Sequence, residues 1–188
     1  MLDNAPCSNY NVFCPFSDFI AERDAIMNDQ LSQQLALLNQ NDKMLNDLYH
    51  NYAVNVNLSD TAFWIFYIAW TQGDGCTQKE LCEAWSYSRQ TINTALKNLE
   101  KQGYIKLAFM AGNRKSKQIL FTDHGKEFAR KIILPLLEAE RISFGLLNER
   151  ERIDLILLSQ KRTKLLQKEI AKTITAIAEK DKQKKKLE

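Results

Sequence analysis

The chain has 188 residues, of which 45% are hydrophobic and 10% aromatic, enough to bury a substantial core, so wholesale disorder is excluded. Six glycines and three prolines are too few for the frequent turns of a sandwich or barrel, which leaves a mostly helical fold. The net charge of +3 conceals a gradient: residues 1–29 carry one base and five acids, and residues 76–118 carry eight bases and three acids. A compact basic segment points to a polyanion contact, the alternative being a solvated lysine-rich surface.

No apolar run is long enough to span a membrane, and no basic-then-apolar leader opens the chain, so a cytoplasmic protein without membrane attachment is expected. Cys7, Cys14, Cys76 and Cys82 form no CxxC pair and lie apart from His50 and His124. That spacing gives no support to a metal site, and free thiols are expected. No cofactor is implied. A nucleophile–base motif, a phosphate loop and HExxH are all missing from the sequence, so an enzyme is not expected.

In chain order, residues 1–29 read as an irregular arm leading into a first helix, with Ser17 or Asp18 as its cap. Leu31, Leu35, Leu38, Leu45, Leu48 and Tyr52 then form one apolar stripe to about residue 55. After Asn-rich NVNLS, Ser59 or Asp60 starts a second helix that TQGDG ends. Its Phe63, Phe66, Tyr67 and Trp70 share a face at helical spacing. Together with Tyr49 and Tyr52, the residues Phe63, Tyr67 and Trp70 admit two readings, an aromatic core or the lining of a pocket for a small aromatic molecule.

From residue 76 the signals tighten. Thr77-Gln78-Lys79-Glu80 is a capping box before a short helix containing Leu81 and Cys82. Trp85-Ser86-Tyr87 reads as a tight turn. Ser88 caps a second helix whose Ile92, Ala95, Leu96 and Leu99 face inward, and Gly103 closes it. This is a helix-turn-helix, with Ser88, Arg89, Gln90, Thr91 and Asn93 at the start of its recognition helix. Ile105, Leu107 and Phe109 alternate with Lys106 and Ala108 as a strand, and Ile119 and Phe121 mark its partner. Between them AGNRKSKQ (111–118) is a basic hairpin tip, which makes a wing. Phe128, Ile132, Leu136, Ala139 and Ile142 pattern a further helix containing Pro135. Asn148-Glu149-Arg150-Glu151 caps a last one running to about residue 175, and residues 176–188 form a basic tail whose last residues, KDKQKKKLE, are expected to fray.

The order TQKEL, SRQTINTALKNLEKQGYI, basic wing and FTDHG resembles the MarR (multiple antibiotic resistance regulator) family of transcription factors, over roughly residues 30–170. Thr77 to Leu81 match the family's TQxEL opening. Ser88, Arg89, Thr91, Leu99, Glu100, Gly103, Tyr104 and Ile105 match its recognition-helix pattern. Arg114 and the run Phe121 to Gly125 match its wing, with Asn113 where the family has an acid. The resemblance implies a winged helix-turn-helix (residues 56–125) between long dimerisation helices (30–55 and 126–175). The implied fold class is mainly α with a small β-hairpin wing.

The implied function is a homodimeric repressor on pseudo-palindromic double-stranded DNA. Thr77, Gln78, Ser88, Arg89, Gln90, Thr91, Asn93, Lys97, Asn113, Arg114, Lys115 and Lys117 are the expected DNA-contacting residues. Family members often release DNA on binding a small aromatic effector, and others sense oxidants through a cysteine near the N-terminus, a role for which Cys14 is the candidate here. The competing reading is a winged-helix module that docks an acidic protein partner.

Overall fold

The computed structural model describes residues 29–73, 75–85, 87–110 and 113–187. Its elements are α1 (Gln30–Asn55), α2 (Asp60–Gln72), α3 (Gln78–Trp85), α4 (Arg89–Lys101), β1 (Ile105–Met110), β2 (Asn113–Phe121), α5 (Asp123–Gly145) and α6 (Glu149–Leu187). The described residues fall into two compact units that divide between Ile65 and Phe66, inside α2.

In the first unit Asp29, in extended backbone, caps α1 by accepting from the Ser32 amide at 2.8 Å. The helix that reaches Asn55 therefore begins at Gln30, later than a cap at Ser17 or Asp18 implies, and those two positions lie outside the described residues. The turn into α2 uses Asn57 at φ 58°, a left-handed conformation that asparagine tolerates better than most side chains, and the Leu58 amide returns to the Ala53 carbonyl at 2.9 Å. His50 on α1 and Asp60 on α2 pair at 2.9 Å across this turn. Ala53, Ala62, Phe63 and Ile65 are buried.

The second unit is built around the helix-turn-helix and the hairpin. Ile68, Leu81, Ile92, Leu96, Leu99, Ile105, Ile119, Ala129 and Ile133 are buried in it. Phe66 lies against the rings of Tyr104, Phe121 and Phe128 at centroid distances of 5.5, 5.6 and 5.3 Å. The antiparallel register sets Ile105 opposite Phe121 and Leu107 opposite Ile119, with an irregularity between Phe109 and Met110. A single bridge between Thr77 and Gln118, flanked by the Ile119 amide donating to the Cys76 carbonyl at 2.8 Å, ties the start of α3 to β2. One bridge is too short to leave a pattern in sequence.

Two sequence expectations are corrected here. β2 already begins at Asn113, so residues 113–118 are strand, and the turn is narrower than the stretch 111–118. The irregularity at Phe109/Met110 lets the pairing run on toward the tip, where composition alone suggests loop. The C-terminal residues expected to fray continue α6 to Leu187, because lysine and glutamate are good helix formers and neither Gly nor Pro interrupts them. Among the described residues no helix is long and apolar enough to cross a membrane.

Candidate nucleic-acid interface

The interface grows from two reinforced helix starts. The Thr77 amide donates to the Glu80 carboxylate at 2.6 Å and the Glu80 amide donates to the Thr77 hydroxyl at 3.3 Å, the reciprocal bonds of a capping box. The Thr77 amide, with its hydroxyl, holds the Glu80 carboxyl below the usual carboxylate range. Gln78, the first residue of α3, reaches across the turn and donates to the Arg89 carbonyl at 2.9 Å. That bond fixes where α4 begins. Ser88 caps α4 by accepting from the Thr91 amide at 3.1 Å, and the two hydroxyls lie 2.7 Å apart.

With Ile92, Leu96 and Leu99 buried on one face, the helical period leaves Arg89, Gln90, Asn93 and Lys97 exposed on the other. The hairpin is tied to α4 by the Leu107 amide, which donates to Glu100 at 3.2 Å. Between them runs a concave groove. Gln78 and Lys79 from α3, Arg89, Asn93 and Lys97 from α4, and Phe109 and Lys117 from the wing all line it. Lys117 sits over the Phe109 ring, 5.3 Å from its centroid.

The structure thus brings Gln78, Arg89, Asn93, Lys97 and Lys117 to one groove, with Gln90 exposed on the same helix. Thr77, Ser88 and Thr91 are placed differently, since their hydroxyls are engaged in the two caps and position the helices. The side chains of Asn113, Arg114 and Lys115, and all of Cys14, lie outside the described residues. Lys79 and Phe109 are groove residues that the sequence reading did not single out. Lys79 is visible in sequence only as part of the basic count, and the placement of Phe109 depends on the hairpin register.

The aromatic set divides. Tyr49 and Tyr52 pack their rings on Phe63 at 6.4 and 6.0 Å within the first unit. In the second unit the Tyr67 hydroxyl donates to Glu140 at 2.9 Å, and Trp70 lies 6.4 Å from the Phe121 ring. Cys76 is buried and Cys82 half-buried, and among the described residues neither forms a disulfide. Among the described residues no cluster of His, Cys, Asp and Glu is arranged to hold a metal ion.

The MarR family model matches residues 57–116. A MarR family regulator from Neisseria meningitidis is 22% identical, with a TM-score of 0.65, covering 74% of this chain and 98% of its own. MepR from S. aureus, solved as a DNA complex, is 19% identical with a TM-score of 0.55 and covers 70% of this chain and 96% of its own. BpsR from Bordetella bronchiseptica, whose DNA binding is regulated by 6-hydroxynicotinic acid, is 14% identical with a TM-score of 0.54, covering 73% and 94%. Comparison with curated proteins gives no match. Residues 57–116 thus match the MarR family model, and most of the chain shares its fold with solved MarR family regulators.

Proposed function

We propose that this protein is a sequence-specific transcriptional regulator that binds double-stranded DNA as a homodimer and represses from a pseudo-palindromic operator. The observation that carries this reading is the polar and cationic face of α4, which stands beside a basic groove shared with the wing. A helix that offers Arg89, Gln90 and Asn93 at its start suits the major groove, where such side chains read base edges. The wing, with Asn113, Arg114, Lys115 and Lys117, suits the neighbouring minor groove and its phosphates. MepR supports the reading as a relative crystallised on DNA, and BpsR supports control by a small aromatic effector.

The test is selection of bound duplexes from a random pool, followed by affinity measurements over a range of salt. A two-fold related consensus with half-sites about one turn apart is expected, together with a steep salt dependence. Binding without any sequence preference would instead favour the module that docks an acidic partner.

A further inference from the structure

Phe109 continues the register of Ile105 and Leu107 on β1, and its neighbours in that register are buried or half-buried, yet 58% of its own surface is exposed. The hairpin sets it directly opposite Lys117, whose ammonium group covers part of the ring. On the far wall of the same groove stand Arg89 and Lys97 of α4. A flat apolar ring thus lies at the seam between the recognition helix and the wing, in a groove lined by Lys79, Arg89, Lys97 and Lys117 and by the single carboxylate of Glu100. Where a helix enters the major groove and a hairpin the adjacent minor groove, the sugar–phosphate strand that separates the two grooves crosses between them.

We propose that Phe109 is a DNA-contacting residue whose ring packs against a deoxyribose of the strand lying between α4 and the wing, with Arg89, Lys97 and Lys117 on the flanking phosphates. The proposal rests on the duplex-DNA reading given above. Deoxyribose presents the same C–H surface at every base pair, so this contact adds affinity without adding sequence information. The ring is uncharged, so it displaces no counterions.

The experiment compares the full-length wild type with Phe109→Ala and Phe109→Leu on the selected operator and on a scrambled duplex. Affinity is measured from low to moderate salt, and hydrogen exchange of the wing amides is followed in the unbound protein. Phe109→Ala is expected to weaken binding to both duplexes alike by about tenfold, as suits one apolar side chain desolvated on DNA, and to leave the log–log salt slope unchanged. Phe109→Leu, which keeps apolar bulk, is expected to lose clearly less, and the wing amides are expected to keep their protection in both variants.

Wild-type affinity in Phe109→Ala overturns the proposal while leaving the DNA-binding reading intact. A loss confined to one base position overturns it in favour of base contact. A loss accompanied by deprotected wing amides overturns it in favour of a structural prop. A wild type that binds no duplex at all overturns the underlying reading as well, which separates the two failures.

Discussion

Gly125 lies buried in the first turn of α5, its amide donating to the Thr122 hydroxyl at 3.0 Å. A Cβ built there would stand 1.8 Å from the Tyr104 carbonyl oxygen and 2.8 Å from its carbon. That oxygen cannot easily yield, because it accepts from both the Thr122 amide at 3.0 Å and the Thr122 hydroxyl at 3.1 Å. Gly125→Ala should therefore lower stability by about 3 kcal/mol or more, the upper range for overpacking, as read from the denaturant midpoint. A loss below about 1 kcal/mol would mean that α5 can shift away from Tyr104 at little cost. Thr122→Ala should cost about 1–2 kcal/mol through the lost cap, and Thr122→Ser should recover most of it. The motif Phe121 to Gly125 is legible in sequence as a strand end and helix start. The need for glycine is not, since it arises from a carbonyl that only the fold brings near.

At the scale of elements, α2 and α5 are joined by the hydrogen bond from Tyr67 to Glu140. Desolvation, with the Glu140 carboxylate adding to it, pushes the Tyr67 phenol up to about 12 from its ordinary 10.0. The folded chain thus keeps this proton over a pH range where the unfolded chain releases it. The resulting stability is complete below pH 10 and is lost as the pH rises toward 12. Tyr67→Phe should accordingly show a shallower fall of stability than the wild type between pH 10 and 12, measured by urea unfolding at fixed pH values. Burial also raises the Tyr52 phenol, and that contribution should persist in the variant. Identical slopes would show that the phenol is not held neutral by the fold. Elements whose ends are set by local chemistry, such as the Thr77 and Asn148 capping boxes and the Ser88 cap, are readable from spacing alone. The extent of β2 and the exposure of Phe109 are not, because both depend on pairing across the hairpin.

At the scale of the whole molecule, the apolar residues left in solvent call for a partner. Leu31, Leu35, Leu38, Leu45 and Leu48 are exposed along α1, and Ile156, Leu157, Leu165, Leu166 and Ile170 are exposed along α6. Runs of apolar side chains on this scale are uncommon on monomers and mark association surfaces. The proposed homodimer would cover them. Leu157, 57% exposed in the single chain, separates the alternatives sharply. If the protein functions as a monomer, Leu157→Asp is a surface change worth about 0.5 kcal/mol or less, and it should if anything raise solubility. If Leu157 is buried between two copies, the carboxylate must enter an apolar interface without a partner, at a cost of several kcal/mol. Two recognition helices acting on one operator gain from linkage, and splitting the dimer should cost on the order of a hundredfold or more in operator affinity. Sedimentation of Leu157→Asp should therefore give monomer or aggregate, with tight DNA binding lost. An intact dimer of normal affinity would remove this face of α6 from the interface.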